Sequence, residues 1–443
     1  MDNVFDFRNR LINEYSSFSR SFSKVSAQDI LSKVELEYDR GRYWPEPLIQ
    51  INPNYKRQST VQQLAHEGML HASCSHIFQT GKTEGKAADL HLYVHQLQAL
   101  AKAQKQQSYV VTTGTGSGKS LAFFVPIIDR ILKAKQADPQ KRTRAIVIYP
   151  MNALANSQLE ELDKFLHGYP DEQKPFTVAR YTGQESDADR KQIADNPPDI
   201  LLTNFMMLEL ILTRFEDVDR RVVEHCQGLE FLVLDELHTY RGRQGADVAL
   251  LVRRLRERLQ ASQLVCIGTS ATMSSTGTQA DRNQTVANVA SLLFGAQITE
   301  HDVIGETLER VTNPAKDIEA VKSLLKPALL KESYHWPDFA AFSDDPLAVW
   351  VELSLGIELP LDEPPRRARP VTLGDAAKRL ADDAQCTVED AHAGLQRFLV
   401  AAHDVKTPQG RAPFAFKLHQ FISGPGKVLA TLEPEGRPLY TSD

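Results

Sequence analysis

The sequence predicts an α/β fold in which a central parallel sheet is flanked by a helical N-terminal segment and a mainly helical C-terminal segment. Between about residues 90 and 300, short runs of β-branched and apolar residues alternate with longer stretches of helical spacing. Buried strands that alternate with helices form parallel sheets covered on both faces. The alternation stops after about residue 305, where helical patterns dominate.

Within the central region, the apolar runs are the predicted strands and the longer stretches are the predicted helices. In parallel sheets of this kind, functional groups collect at the carboxyl ends of the strands. The predicted strands are Tyr109–Thr113, Ala145–Tyr149, Val178–Tyr181, Ile200–Thr203, Phe231–Leu234 and Leu264–Gly268, and the predicted helices are Leu121–Ala134, Ala153–Phe165 and Ala246–Gln260.

The sequence predicts that the chain is divided into three regions. Residues 1–88 are expected to be an accessory region that is helical and then extended, because three prolines lie between residues 45 and 53. Residues 89–305 are the sheet domain, and residues 306–443 are a mostly helical accessory or inserted region. The last range ends in a predicted β-hairpin at Phe414–Leu432, with its turn at Ser423–Gly426.

Composition is ordinary for a soluble globular protein of two or three domains: 443 residues, 42% hydrophobic and 24% charged. We find no secretion signal and no membrane span, so we expect a cytoplasmic protein. The net charge of −6 does not indicate a nucleic-acid binder, although a few local cations suffice for one. Candidate patches are Lys141–Arg144 and Arg253–Arg258, which solvated surface explains equally well.

A glycine-rich loop follows the first predicted strand and precedes the first predicted helix. Glycines let backbone N–H groups turn inward around phosphates at the positive end of a helix. Lys119 adds a charge for the β- and γ-phosphates, and the Ser120 hydroxyl is placed to bind Mg²⁺. A turn without function is the alternative, which the order of strand, loop and helix disfavours. The candidate nucleotide-binding residues are Thr113 (a glycine in the strict pattern), Gly114, Thr115, Gly116, Ser117, Gly118, Lys119 and Ser120.

An apolar strand ends in two acids, Asp235 and Glu236. Paired acids at the tip of a buried strand are costly to desolvate unless a cation lies opposite them. Asp235 is the candidate Mg²⁺ ligand, and Glu236 is the candidate base that orients and deprotonates the attacking water. Together with Lys119 they form the candidate catalytic group. A solvated pair of acids is the alternative.

These motifs resemble superfamily 2 helicases of the DExH type, with Asp235-Glu236-Leu237-His238 as the box. The resemblance implies that residues 89–305 are a RecA-like P-loop domain, the ATP-binding lobe of an ATP-dependent helicase. It also implies that Gln96, in His95–Leu100, reads adenine, since a planar amide can pair both ways with the base edge.

Further short motifs occur in the order that the family places them. The candidate nucleic-acid contacts are Asn152 and Asn156 within Tyr149–Gln158, Gly183 after Tyr181-Thr182, and Thr203 with Asn204. Ser270-Ala271-Thr272 is similar to the motif that couples hydrolysis to movement between lobes, so Ser270, Thr272 and His238 are the candidate coupling residues. Each motif alone could be an ordinary loop.

The resemblance fails after about residue 305, where no second strand–helix alternation and no Gln-x-x-Gly-Arg-x-Gly-Arg run occurs. In the family that run supplies arginine fingers from a second RecA-like lobe. We therefore expect a piece of a longer helicase, or a subunit completed by a partner, that hydrolyses ATP poorly alone. The resemblance favours DNA as the nucleic acid.

Trp44–Leu48 and Tyr149–Gln158 also look like large bacterial helicases with a cysteine-rich C-terminal domain, some of which act in phage defence or DNA repair. A second hypothesis is a nucleotide-regulated scaffold or binding subunit of a defence or repair complex, without unwinding activity. DNA-stimulated phosphate release separates the two. A kinase is disfavoured, because Ser270–Thr272 and Tyr149–Gln158 have no role in one.

Overall fold

A computed structural model describes residues 3–21, 25–114, 116–271, 278–361, 363–423, 427–433 and 436–442. In chain order, the helices are α1 Val4–Ser21, α2 Gln28–Asp39, α3 Val61–His66, α4 Cys74–Ile77, α5 Val94–Gln104, α6 Leu121–Ala137, α7 Asn152–Leu166, α8 Asp187–Asp195, α9 Phe205–Thr213, α10 Asp217–His225, α11 Gly242–Arg258, α12 Gln279–Phe294, α13 Ile318–Leu329, α14 Phe339–Ser343, α15 Pro346–Val351, α16 Leu373–Ala384 and α17 Val388–His403. Short 3₁₀ turns lie at Lys82–Glu84, Asp171–Gln173, Leu237–Thr239 and Glu300–Asp302, and a π-helical turn lies at Glu352–Gly356.

The strands are numbered in the same chain order. They are β1 Leu48–Asn52, β2 Asn54–Tyr55, β3 Arg57–Thr60, β4 Gln79–Thr80, β5 Ala88–Asp89, β6 His91–Tyr93, β7 Tyr109–Thr112, β8 Ala145–Tyr149, β9 Val178–Tyr181, β10 Ile200–Asn204, β11 Phe231–Leu234, β12 Val265–Ser270, β13 Val303–Gly305, β14 Leu308–Glu309, β15 Ile357–Glu358, β16 Arg366–Arg367, β17 Val371–Thr372, β18 Ala415–His419, β19 Lys427–Ala430 and β20 Leu439–Ser442.

A seven-stranded sheet forms the middle of the chain, in the order β13-β7-β12-β11-β8-β10-β9. Every neighbouring pair in it is parallel. The six predicted strands all belong to this sheet, and the three predicted helices are α6, α7 and α11. The predicted α/β, RecA-like fold with a parallel sheet and helical flanks is therefore confirmed.

Both faces of the sheet are covered, which explains the continuous apolar runs. Along β8, Val147 packs into a cluster with α6, whereas Ile146 and Ile148 pack into a second cluster with α11 and α12. Successive side chains of a strand point to opposite faces, so both sets of positions must be apolar. This arrangement leaves the carboxyl edge of the sheet as the place where polar side chains gather.

The sequence patterns missed one strand of the sheet, β13. It is three residues long and lies beside β7, with Val303 opposite Val110 and Gly305 opposite Thr112. So short a run, ending in glycine, has too few residues for a recognisable strand pattern. It matters for the site, because its carboxyl end brings Glu306 next to the glycine-rich loop.

The chain divides into two compact units that differ from the three predicted ranges. Residues 55–307 form one unit, which contains the sheet. Residues 1–54 together with 308–443 form the other. Residues 55–88, which the sequence assigned to the accessory region, belong to the sheet unit because their apolar side chains lie in the cluster on one face of the sheet. The functional division into 1–88, 89–305 and 306–443 stays a prediction.

The second unit is held by its own apolar cluster. Ile49 and Ile51 of β1 are buried against α13, α15, α16 and α17, around the fully buried Trp350. The strand β1 is the centre of a three-stranded antiparallel sheet in the order β17-β1-β18. The helical character predicted for residues 306–443 corresponds to α13–α17.

The β-hairpin predicted at Phe414–Leu432 is wrong. Its two runs form strands, but β18 pairs with β1, and β19 pairs with β20. The reason is non-local: Phe416 and Leu418 pack on the cluster that already contains Ile49 and Ile51. Local turn residues therefore did not determine the strand partners.

Among the described residues, no helix combines the length and the apolar character needed to cross a membrane.

Candidate functional site

The glycine-rich loop connects β7 to α6 at the carboxyl edge of the sheet. Gly116 and Gly118 have φ values of 79° and 66°, a region that residues with a side chain rarely adopt. The hydroxyls of Thr113 and Ser117 lie 2.6 Å apart, and both side chains are buried. These two predicted nucleotide-binding residues therefore hold the loop together by their side chains. Thr115 lies outside the described residues.

Gln96, the predicted adenine reader, lies directly behind the loop. Its Nε2 donates to the Gly118 carbonyl at 2.8 Å, and its Oε1 accepts from the Tyr93 N–H at 2.8 Å. The side chain is only 2% exposed. A primary amide has two hydrogens and two lone pairs on its oxygen, so one hydrogen and one lone pair of Gln96 are left beyond these two bonds.

His95 also supports the loop, a role that the sequence patterns did not reveal. Its Nε2 lies 3.0 Å from the Ser117 carbonyl oxygen, and its ring stacks on Tyr93 with centroids 5.6 Å apart. Burial lowers the pKa of His95, which favours the neutral ring. The neutral tautomer that satisfies the carbonyl carries its hydrogen on Nε2 and donates it.

The acid pair lies at the end of β11, facing the loop. Lys119 Nζ is 3.6 Å from Glu236 Oε1, with side chains 15% and 26% exposed. Burial raises the pKa of Asp235, so a carboxylate there is disfavoured until a cation compensates it. The structure thus brings Lys119, Asp235 and Glu236 together, as the sequence predicts for a site that handles phosphates.

Thr269 of β12 connects both acids, and no sequence motif singled it out. Its hydroxyl donates to Asp235 Oδ1 and accepts from the Glu236 N–H at 3.1 Å. Glu236 itself has a left-handed backbone, with φ 53° and ψ 57°. No local pattern reveals this contact, because β11 and β12 are neighbours only in the folded sheet.

Two of the three predicted coupling residues lie at the same acids. His238 Nδ1 is 3.2 Å from Glu236 Oε2 and 3.4 Å from the Ser270 hydroxyl. The Ala271 N–H also points to Glu236 Oε2, at 3.4 Å. The end of β12 is therefore linked to Glu236 by both side-chain and backbone contacts. Thr272 lies outside the described residues.

The donor chemistry of Ser120 and Asp235 fits Mg²⁺. Mg²⁺ prefers oxygen ligands and is usually held by one or two carboxylates together with substrate phosphates and water. A hydroxyl oxygen and a carboxylate oxygen meet this preference, and the half-buried Asp235, whose pKa is raised by desolvation, would gain from a cation beside it. The loop amides and Lys119 supply donors for phosphate oxygens.

The predicted nucleic-acid contacts cluster at the carboxyl ends of β8, β9 and β10. Asn204 Nδ2 donates to Asn152 Oδ1 at 2.7 Å and to the Thr182 carbonyl at 3.0 Å. Asn204 Oδ1 also caps α9 by accepting from the Met207 N–H. The motifs around residues 152, 182 and 204 therefore form one connected surface.

Gly183 and Asn156 belong to the same surface through a charged pair that the sequence did not single out. Glu185 accepts from the N–H groups of Thr182 and Gly183 at 2.7 and 2.9 Å. Arg180 Nε lies 2.6 Å from Glu185 Oε1, and Arg180 also donates to Asn156. The backbone N–H groups of Thr182 and Gly183 are thus already hydrogen-bonded to the Glu185 carboxylate.

Thr203 is placed differently from its predicted neighbours. Its side chain is fully buried, and its hydroxyl donates to the Tyr181 carbonyl at 2.7 Å. In this position it ties β10 to the end of β9. Its predicted contact with nucleic acid stays a prediction.

The order of these motifs is matched by a known family. Residues 93–280 match the model of the DEAD/DEAH box helicase family. This part of the chain is similar to the DEAD/DEAH box helicase domain. The match begins at Tyr93, three residues before Gln96, and includes the loop and the acid pair.

Curated relatives are similar over the same region. The uncharacterized ATP-dependent helicase YprA of Bacillus subtilis strain 168 is 35% identical over 185 residues, which are 41% of this chain and 23% of that protein. The Lhr helicase/uracil glycosylase of Escherichia coli strain K12 is 33% identical over 204 residues, 42% of this chain and 13% of that protein. The chain thus spans less than a quarter of the length of these relatives.

Among solved structures, the DUF1998 helicase MrfA bound to DNA is similar, with a TM-score of 0.44 and 24% identity. That similarity covers 69% of this chain and 38% of MrfA.

Proposed function

We propose that the sheet unit, which contains the match to the helicase family, binds ATP with Mg²⁺ and hydrolyses it, as one lobe of an ATP-dependent nucleic-acid helicase. The observation that carries the proposal is the approach of Lys119 Nζ to Glu236 Oε1 at 3.6 Å, beside the half-buried Asp235. A lysine in the glycine-rich loop and two acids at the end of β11 are the side chains that phosphoryl transfer to water requires.

Each side chain has a distinct task in this proposal. Backbone amides of the loop and Lys119 hold the triphosphate, and Lys119 leaves Glu236 to do so. Ser120 and Asp235 hold Mg²⁺, which neutralises charge on the phosphates when bound. Glu236 orients the attacking water and accepts its proton. His238 and Ser270 contact Glu236 and each other, so a change at the base can reach the end of β12.

The nucleic acid lies, in this proposal, along the surface formed by Asn152, Asn156, Gly183 and Asn204. Support comes from their connection in the structure and from the helicase relatives, and the family resemblance favours DNA. A second RecA-like lobe, in the same longer protein or in a partner, would complete the catalytic site with arginines. Residues 308–443 contribute mainly helices instead of a second parallel sheet within the described part of the chain.

Two substitutions test the proposal. Lys119→Ala should weaken binding of a fluorescent ATP analogue at least about tenfold, because a charge-assisted hydrogen bond is lost. Glu236→Gln should keep binding within about twofold and stop phosphate release, since the amide cannot accept the proton. Single-turnover assays with protein in excess detect slow hydrolysis by the chain alone, with and without single-stranded DNA or RNA of the same sequence.

Lys105→Ala and Glu257→Gln are matched controls, because both side chains are exposed in the sheet unit. They should leave binding and hydrolysis unchanged. Unaltered nucleotide affinity in Lys119→Ala would refute the site, and hydrolysis retained by Glu236→Gln would remove it from the role of base. Phosphate release that DNA and RNA stimulate equally would contradict the preference for DNA.

A further inference from the structure

The hydroxyl of Thr269 is shared between the two acids at the end of β11. It donates its only hydrogen to Asp235 Oδ1 and accepts the N–H of Glu236 at 3.1 Å. The side chain is completely buried. It sits in register with Val111 of β7, between the strand that carries the acids and the strand that leads into the glycine-rich loop.

This single hydroxyl fixes two different properties of the acid pair. Its bond to Asp235 selects one orientation of the carboxylate, because the hydrogen reaches only one oxygen. Its bond to the Glu236 N–H supports a left-handed backbone, with φ 53°, that costs a non-glycine residue about 1–2 kcal/mol. Without the hydroxyl, both the Asp235 side chain and the Glu236 backbone lose a partner that holds them toward Lys119.

We propose that Thr269 is the positioning residue of the Mg²⁺ and water site, acting through Asp235 and the Glu236 backbone. The inference rests on the proposed function, because it concerns the same acids. A carboxylate that binds a metal is commonly oriented by a hydrogen bond from a neighbouring group, and loss of such a partner typically lowers metal affinity about 10–100-fold. Thr269 is buried beneath the acids, so it acts on the ligands from behind and touches neither nucleotide nor Mg²⁺.

A purely structural role for Thr269 makes a different prediction. If the residue only filled space in the sheet, valine, which has nearly the same shape, would replace it without effect on the acids. Serine keeps the hydroxyl but removes the methyl group, so it would be the more disruptive change. The proposed role reverses this order: serine should function, and valine should not.

The experiment compares Thr269→Val and Thr269→Ser in the full chain. The affinity for a fluorescent ATP analogue is measured with Mg²⁺ and with EDTA, and the ratio gives the enhancement by Mg²⁺. We expect Thr269→Val to lose about tenfold or more of this enhancement, with affinity in EDTA unchanged within about twofold. Thr269→Ser should keep the wild-type enhancement. Thr143→Val is the matched control, since Thr143, which precedes β8, is also buried but donates its hydroxyl to the Pro198 carbonyl.

A second measurement needs neither metal nor nucleotide. Amide hydrogen exchange of the segment around Glu236 should be about tenfold faster in Thr269→Val than in the wild type, because the Glu236 N–H loses its acceptor. Thr269→Ser should exchange at the wild-type rate. Thr269→Ala, which removes the hydroxyl without adding bulk, replaces the valine variant if the latter does not fold.

The outcomes separate this inference from the proposed function. Full Mg²⁺ enhancement in Thr269→Val, or equal losses in the valine and serine variants, would overturn the positioning role. If the wild type bound nucleotide no better with Mg²⁺, or if Lys119→Ala bound it equally well, the proposed function itself would fall. A loss confined to the variants that lack the hydroxyl supports both.

Discussion

Gln96 supports the glycine-rich loop in the structure, and its reading of adenine is a prediction that can be tested separately. Its amide already supports the loop through the Gly118 carbonyl, and a Cβ on Gly118 would come within 2.7 Å of Gln96 Nε2. The family resemblance adds the reading of adenine, for which one hydrogen and one lone pair remain. Support of the loop concerns every nucleoside triphosphate, whereas reading of the base concerns ATP alone.

Gln96→Ala should therefore weaken ATP binding more than GTP binding. Loss of the two base contacts is expected to lower the ratio of ATP to GTP affinity about tenfold, and loss of the loop contact lowers both affinities together. Competition binding with the two nucleotides measures the ratio. Gln98→Ala, an exposed glutamine on the same helix, is the control and should change neither affinity. An unchanged ratio with weaker binding of both nucleotides would leave Gln96 as a support of the loop only.

The packing of β12 against the turn after β11 depends on one glycine. A Cβ on Gly268 would collide with the Leu237 side chain and lie 3.2 Å from Phe294 Cζ, and both of these residues are fully buried. A Cβ on Gly305, in strand β13 of the same sheet, would meet no heavy atom within 4 Å, and the φ of Gly305 is not positive. Both glycines therefore lie in strands of the same sheet, but only Gly268 is closely packed against neighbouring side chains.

Gly268→Ala should lower the free energy of unfolding by about 1–3 kcal/mol, the usual cost of overpacking a core. Gly305→Ala should change it by no more than about 0.5 kcal/mol. Denaturant unfolding of the two variants beside the wild type measures the difference. Equal stability of the two variants would contradict the close packing of Leu237 against β12.

Six of the seven strands of the sheet were predictable because they are runs of mainly apolar residues, whereas the three-residue β13 was missed. Ala145–Tyr149 is buried along its whole length, so every position is apolar and the run is recognisable by itself. The loop and the acids were found for a similar reason: each motif is contiguous, and parallel strands place their carboxyl ends at one edge. The approach of Lys119 to Glu236 follows from that topology.

Contacts between strands that are distant in the chain were not predictable from local patterns. Thr269 lies between the predicted strand Leu264–Gly268 and the Ser270–Thr272 motif, and only the adjacency of β12 to β11 brings its hydroxyl to Asp235 and Glu236. The partner of β18 was mispredicted because β1 lies more than 360 residues earlier in the sequence. Pairing of this kind depends on burial in the folded unit, which a turn signal does not contain.

The boundaries of the sheet unit are the largest difference between the predicted and the observed organisation. The residues before 89 include Val61, Leu64, Ile77 and Phe78, which are buried in the cluster beneath α5 and α6. Phe78 also contacts Phe165 of α7 edge to face, with ring centroids 5.3 Å apart. Full burial of each such side chain contributes about 1.5–3 kcal/mol, so the four together contribute about 6–12 kcal/mol.

That sum is comparable to the whole net stability of a domain, which is about 5–15 kcal/mol. A fragment of residues 55–307 should therefore unfold cooperatively and bind the ATP analogue, whereas a fragment of residues 89–305 should not fold. Circular dichroism with denaturant, together with nucleotide titration, measures both properties. A fragment of residues 89–307 separates the effect of residues 55–88 from that of Glu306 and Thr307. If the fragment 89–305 folded and bound nucleotide like 55–307, residues 55–88 would be an accessory region after all, and their burial against the sheet would contribute little to its stability.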